Sequence, residues 1–288
     1  DFRYFEQAEF ETINCPNIEI KQYSEDLFVS IAKYISLDDI KNIALETDFI
    51  TCDTFNKYKN HLKNKKLVSA LKILFDIRKI KDDNEILKIK NSAKLCDNAY
   101  NHIIKYIKPG ISELEIASEL EYFLKKQGAS RTSFDTIVAS GERSSLPHGI
   151  ASNKIISYGD MVVIDFGAVL ENYCSDMTRT LFVGEVNPKF IEIYNIVLEA
   201  QVEAILNIKS GIYCKEIDKI SRDIIKSRGY QDYFGHALGH GVGINVHEAP
   251  KVSCSSEEIL EEGMIITIEP GIYIPGKGGI RIEDMVLV

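Results

Sequence analysis

The chain has 288 residues and a formal net charge of −9, with an ordinary globular composition of 45% hydrophobic and 27% charged residues. That length allows one large domain or two smaller ones, each with a sizeable core. The acidic balance argues against a nucleic-acid partner, whose footprint is a basic patch, and the absence of any apolar run near 20 residues argues against a membrane span.

The six cysteines (Cys15, Cys52, Cys96, Cys174, Cys214 and Cys254) are scattered, with no C-x-x-C pair. They predict free thiols in a reducing cytosol, hence a cytoplasmic protein. The chain starts at Asp1 without Met and stops at Val288 inside an apolar strand, so a longer parent sequence is expected at both ends.

Residues 1–80 alternate short apolar and helical segments, as part of a small α/β domain would. FRYFEQA and NIEIKQY read as strands. Ser24 is a candidate N-cap for a helix through Ile35. IALETDFI reads as another strand and Asp53–Lys63 as another helix. A polar junction, Lys79–Asn84, separates this part from residues 81–288.

A long helix is predicted over Asp83–Ile107, where Ile86, Ile89, Ala93, Cys96, Ala99, Ile103 and Ile107 keep helical spacing. Pro109-Gly110 ends it. A second helix runs from Ser112 to about Gln127, opened by a Ser112/Glu115 capping box and stopped by Gly128. Strand-like TSFDTIVASG follows, then VVIDFG and DMTRTLFVG, which read as two strands about a turn near Leu170 and Glu171. The pattern then recurs. A helix over Pro188–Ile208 precedes a helix ending at Gly229, and IKSGIYCKEIDKISRDIIKSRG aligns without gaps to IKPGISELEIASELEYFLKKQG. IITIEPGIYI and GIRIEDMVLV then form a second hairpin, centred near Gly276. The expectation is an α+β fold of two duplicated helix–helix–strand–strand halves, preceded by the partial α/β domain.

Each hairpin carries a pair of acids. Pairing about those centres sets Asp165 opposite Asp176 and Glu269 opposite Glu283, with Cβ atoms about 5 Å apart. Like charges so placed, among apolar neighbours, need compensation. His240 lies in the Gly-rich GHALGHGVG, where backbone can approach a ligand closely. Four carboxylates and an imidazole suit two divalent ions, with Mn first and Co, Zn or Fe as alternatives; the set is too hard for copper(I). Two such ions activate water and polarise a carbonyl. His236 and His240 have H-E-x-x-H spacing, but position 237 is Ala, so the single-zinc endopeptidase motif is absent.

These residues resemble the metallopeptidases of the pita-bread fold, which include methionine aminopeptidase, aminopeptidase P, prolidase and metal-free creatinase. DFG…SDMTRT, GHGVG, VHEAP, TIEPGIY and GIRIED occur in order from Asp83 to Val288. The resemblance implies a creatinase-like N-domain over 1–80, with its beginning absent, and a catalytic domain over 81–288. It implies metal ligation by Asp165, Asp176, His240, Glu269 and Glu283. It also implies that His148 and His247 bind the scissile carbonyl and the tetrahedral intermediate, that His236 borders a proline-side pocket, and that Arg281 contacts the cluster or substrate. Tyr273 is either a donor near the site or core. Glu269 also carries the proton from the nucleophile to the proline nitrogen. LPHG, EPGIY and GIRIED favour the proline-specific branch, acting on short proline-containing peptides, and the family suggests a homodimer.

The complete ligand set favours a hydrolase over a non-catalytic binding module on the same fold. Lys251 is the one basic residue between His247 and Gly263. It offers little to hold the free carboxylate of a dipeptide, which leans the reading toward an Xaa-Pro aminopeptidase, with Xaa-Pro dipeptidase (prolidase) as the alternative.

Overall fold

The computed structural model describes residues 2–23, 25–36 and 40–288. It divides into two compact units, Asp1–Leu74 and Phe75–Val288. In the first, a short 3-10 turn leads into α1 (Phe5–Thr12), followed by α2 (Leu27–Ser36), β1 (Asn42–Leu45), α3 (Cys52–His61), β2 (Lys66–Ser69) and the start of α4 (Leu71–Arg78). FRYFEQA is therefore helical where a strand is predicted: Glu6, Gln7 and Ala8 are good helix formers, and the segment buries no residue that a sheet would hold. NIEIKQY pairs with no strand among the described residues. Asp26 caps α2, its Oδ1 accepting from Phe28 N at 2.9 Å and Val29 N at 3.2 Å; the predicted cap, Ser24, lies outside the described residues. IALETDFI is strand only as far as Leu45. β1 and β2 pair in parallel, which requires a crossover, and α3 supplies it.

The second unit opens with α5 (Asp83–Ile103), capped by an Asp82/Glu85 box, and α6 (Glu113–Lys126), capped by the Ser112/Glu115 box. β3 (Arg131–Thr132), β4 (Ile137–Ser140), β5 (Met161–Phe166), β6 (Ala168–Leu170), β7 (Tyr173–Cys174) and β8 (Met177–Phe182) complete the first half. The second half contains α7 (Pro188–Leu206), α8 (Cys214–Ser227), β9 (Gly239–Gly241), β10 (Glu248–Val252), β11 (Ile265–Ile268), β12 (Gly271–Ile274), β13 (Gly278–Arg281) and β14 (Asp284–Leu287). The two halves have separate cores. One packs α5 and α6 on β4, β5 and β8; the other packs α7 and α8 on β11 to β13.

The duplication is structural. α8 starts and ends 101 residues after α6. Gly110 and Gly211 open the equivalent turns at φ +98° and +91°, and Gly128 and Gly229 close the helices at +107° and +80°. Left-handed backbone of this kind has little cost only for glycine. Ser112 bridges to Ile155 as Tyr213 does to Ile259. Asp165 and Glu269 then fall at corresponding places on β5 and at the end of β11.

The hairpin registers sharpen one expectation and correct another. β5–β8 and β6–β7 share one register, with Asp165 opposite Thr178 and Val169 opposite Cys174. The turn is Glu171-Asn172, at φ 50° and 68°, a two-residue mirror-image turn that suits the twist of its strands. Its centre lies one residue beyond the predicted one: Asn172 suits left-handed backbone but Glu171 does not, so the pair signals the turn less strongly than Asn-Gly would. Asp176 is thus diagonal to Asp165 rather than opposite it, while a shift of two keeps both on one face. The second hairpin has the predicted centre. Ile268 pairs with Asp284 and Gly271 with Arg281, so the intervening Glu269 faces Glu283.

Both hairpins break at the acids, where the ladder passes from one small sheet to the next. The first break is at Gly167, where an added Cβ would lie 1.9 Å from the Ser175 carbonyl oxygen and 2.8 Å from Ser133 Oγ. Gly167→Ala is expected to destabilise the protein by about 1–3 kcal/mol, because backbone rather than a flexible side chain must give way. A urea midpoint equal to that of wild type would contradict this close approach. All six cysteines are free thiols. Among the described residues no helix is long and apolar enough to cross a membrane.

Candidate metal centre and cavity

A cavity of about 400 Å³ is lined by His148, Asp165, Asp176, His236, His240, His247, Glu269, Arg281 and Glu283. Every side chain singled out for ligation or catalysis from sequence thus reaches one space, although residues 148 and 283 are far apart in the chain. Asp165 comes from β5, one residue before its last, Asp176, Glu269 and Glu283 from the breaks in the two hairpins, His240 from β9 and Arg281 from the end of β13.

Three ligand atoms, one each from Asp176, His240 and Glu283, lie within 4.8 Å of one another. His240 Nε2 is 3.3 Å from Glu269 Oε1 and 3.6 Å from Asp176 Oδ2. Its Nδ1 lies 3.0 Å from the Gly241 carbonyl oxygen. A carbonyl only accepts, so Nδ1 carries the hydrogen and Nε2 points at the acids, the usual arrangement of a ligating imidazole. Asp165 stands slightly apart from that trio. Its Oδ2 accepts from Arg281 Nη2 at 2.5 Å, while its Oδ1 is buried without a hydrogen-bond partner among the described residues, as is Glu283 Oε1. Four carboxylates face a single guanidinium here. Orphaned carboxylate oxygens, excess negative charge and an imidazole aimed at them fit divalent cations.

The electrostatics agree. Burial holds the pKa of Asp165 above the ordinary carboxylate range even against Arg281. Asp176 and Glu283 are pushed well above it, by burial first and then by the neighbouring carboxylates. Glu269 goes the other way. Burial would raise its pKa, but the hydrogen bond and charge of His240, with His236 and Arg281, bring it below the ordinary value. It is the acid in this group that most favours its ionised form.

Arg281 is an organiser. It is buried, donating from Nε to Thr178 Oγ1 at 3.1 Å and from Nη1 to the Pro147 carbonyl at 3.0 Å and Tyr273 OH at 2.9 Å. Thr178 passes its own hydrogen to Glu283 Oε2 at 2.6 Å. Tyr273 OH is also 3.0 Å from His236 Nε2, and His236 Nδ1 is 2.7 Å from the Ala237 carbonyl. The hydrogens can be assigned. Nδ1 must donate to the carbonyl, and burial keeps the imidazole pKa low, so Nε2 accepts from Tyr273 while Arg281 donates to the phenol oxygen. Both His236 nitrogens are therefore used internally. What His236 offers the cavity is its ring face.

His247 sits at the mouth, its ring centroid 4.4 Å from that of His240. Partial burial and the neighbouring His240 lower its pKa, so it is neutral at pH 7 and retains an N–H to donate. His148 is exposed on a loop that α6 holds from below. Glu113, 0% exposed, accepts from Ser140, Ser152 and Arg143, and Arg143 Nη2 donates to the Ile150 carbonyl at 2.7 Å.

Sequence reading missed Thr178, Glu113 and Arg143. Thr178 was legible, since two residues after Asp176 on a strand share a face. Glu113 was not: at the first turn of a helix it reads as a solvated acid complementing the dipole, and only the fold shows the loop packed over it.

The sequence matches the profile of metallopeptidase family M24 over residues 87–288 and that of the creatinase/prolidase N-terminal domain over residues 1–80. It is 45% identical to an Xaa-Pro dipeptidase of Pyrococcus furiosus over 283 residues, 96% of this chain and 81% of that one. The structure superposes on an Xaa-Pro dipeptidase from Bacillus anthracis with a TM-score of 0.95 at 46% identity, covering 100% of this chain and 80% of the other. An X-Pro aminopeptidase from Thermotoga maritima gives 0.92 at 41% identity, covering 100% and 81%. The fold is accordingly the pita-bread creatinase/aminopeptidase fold.

Proposed function

We propose that this chain, which belongs to metallopeptidase family M24, is a divalent-metal-dependent Xaa-Pro dipeptidase. The observation that carries the reading is one cavity lined by Asp165, Asp176, Glu269 and Glu283 together with four histidines and Arg281, in which an oxygen of Asp165 and one of Glu283 are buried without a hydrogen-bond partner among the described residues. Asp165, Asp176, His240, Glu269 and Glu283 would hold two ions, with manganese the first candidate; when bound, these supply a water nucleophile at neutral pH and a polarised carbonyl. Glu269, ionised, takes the proton of the attacking water and delivers it to the proline nitrogen as the amide bond breaks. His247 and His148 donate N–H groups toward the carbonyl oxygen as it gains charge. The ring face of His236 packs against the pyrrolidine. A proline amide has no N–H, so a peptidase that grips that hydrogen fails on it, whereas a shaped apolar wall does not.

Choosing dipeptidase over aminopeptidase reverses the lean of the sequence. Both the Pyrococcus furiosus relative and the Bacillus anthracis structure are Xaa-Pro dipeptidases, and the Thermotoga maritima aminopeptidase is somewhat less similar. Lys251 is exposed and takes no part in the cavity wall, so it supplies no cation for a dipeptide carboxylate; the dipeptidase reading rests on the relatives. Manganese-loaded protein is expected to hydrolyse Ala-Pro with kcat/KM at least about tenfold above that for Ala-Pro-Pro. The opposite ranking would restore the aminopeptidase reading, and hydrolysis of neither peptide would reject both.

A further inference from the structure

The inner face of α8 carries one charged residue among Cys214, Ile217, Ser221 and Ile225: Asp218, which is 0% exposed. An ionised carboxylate so buried requires partners, and Asp218 has three hydrogen bonds. Its Oδ2 accepts from Arg222 Nε at 2.6 Å, and its Oδ1 accepts from Arg222 Nη2 at 3.1 Å and from Leu238 N at 3.2 Å. One turn along the helix, Arg222 donates two further hydrogen bonds to the same loop. Nη1 donates to the Phe234 carbonyl at 3.1 Å and Nη2 to the His236 carbonyl at 2.5 Å. The guanidinium carbon lies 4.3 Å from the centroid of Phe234, whose ring meets His236 edge-on at 5.0 Å. Two side chains of one helix thus hold the backbone of residues 234, 236 and 238. Neither touches the cavity.

We propose that Asp218 and Arg222 are positioning residues for His236: they set the plane of the ring that walls the proline side of the cavity, and so tune substrate binding rather than the chemical step. This rests on the Xaa-Pro reading for its kinetic consequence but not for its geometry. His236 has no free nitrogen with which to reorient on substrate, so its placement depends on its backbone and Tyr273. A lysine at 222 cannot replace the arginine, since a single ammonium lacks the planar fork that serves one carboxylate and two carbonyls together. The guanidinium also lines a separate groove of about 480 Å³ behind the loop, with Lys219, Phe234 and Cys254. A small cation can therefore reach the position from solvent.

The test uses Arg222→Ala and Arg222→Lys in the manganese-loaded protein, with Ala-Pro as substrate and ¹⁵N-histidine NMR of the zinc-loaded form for the ring of His236. The expected result is a KM raised about tenfold with kcat within about threefold, displaced His236 ring signals, and recovery of KM in Arg222→Ala on adding millimolar methylguanidinium. Where Arg222→Ala fails to fold, Arg222→Lys carries the same reading of KM and ring signals. Unchanged KM with unchanged ring signals in a folded variant overturns the proposal, as does a fall in kcat alone. If wild-type protein hydrolyses no Xaa-Pro peptide, the functional reading fails by itself; displaced ring signals then still support the positioning role and unmoved ones overturn it.

Discussion

Glu269→Gln is expected to lower kcat on Ala-Pro by about 10²–10⁴-fold, the usual contribution of a well-placed general base. The reason lies in how the cavity sorts its acids. Asp165, Asp176 and Glu283 all have pKa values raised by burial, the last two reinforced by their neighbours. Glu269 alone is brought below the ordinary value, by His240, His236 and Arg281 acting against burial. In the metal-free cavity it is thus the acid that most favours its ionised form; with ions bound all four acids are ionised, and Glu269 is set apart by its place 3.3 Å from His240 Nε2. Thr267 Oγ1 lies 3.3 Å from its Oε1 and 3.1 Å from His240 N, so the hydroxyl ties the base to the imidazole beside it. Glutamine preserves shape and loses basicity. Steady-state kinetics at saturating manganese, with metal content by mass spectrometry and circular dichroism as controls, separate lost proton transfer from lost metal or fold. A variant with normal metal content and kcat within tenfold of wild type would remove Glu269 from the proton path.

The same acids mark the limit of what sequence can tell. Their presence in two hairpins was readable from period-2 alternation and turn spacing. The repeat was readable from paired glycines, because left-handed backbone at Gly110, Gly128, Gly211 and Gly229 leaves little choice of residue. Their mutual placement was not fully readable. The Glu171-Asn172 turn puts left-handed backbone at a glutamate, which does not favour it, and with the centre one residue further along the facing pair becomes a diagonal one. In the first unit, FRYFEQA carries apolar residues at alternating places, yet Phe2 is 78% and Tyr4 60% exposed; without a burying face the pattern carries no strand. Glu113 shows a further gap. Its partner Arg143 lies 30 residues away in the chain, and no local periodicity encodes a contact between a helix and a loop that meet only when the first half has folded.

Metal-free protein is expected to lose stability as pH rises above the ordinary carboxyl value of about 4 toward the raised folded-state values of Asp176 and Glu283, and manganese to restore it most at the upper end. Asp176 and Glu283 have folded-state pKa values well above ordinary, through burial and then through mutual repulsion among the acids; Asp165 is raised in the same direction, through burial. A carboxyl raised on folding holds its proton more tightly in the folded chain than in the unfolded one. Stability is then greatest below the unfolded value of about 4 and falls as pH climbs toward the folded values, by about 1.4 kcal/mol per pH unit for each such proton. Glu269 has the opposite sign, contributing stability above its unfolded value that is lost as pH falls through its lowered folded one, so it cannot cancel the loss at higher pH. Divalent ions replace the missing protons, and they bind best where there are none to displace. The metal-free Tm should be lower at pH 7.5 than at pH 5.5, at roughly 2–4 °C for each kcal/mol lost. The rise on adding manganese should be larger at pH 7.5. Scanning calorimetry of chelator-treated protein measures both. The double variant Asp176→Asn, Glu283→Gln should flatten the metal-free slope, which separates the cluster from the general effect of a −9 net charge. A metal-free Tm that is level or rising over this range, or a slope that survives the double variant, would mean that these carboxylates do not carry the strain assigned to them.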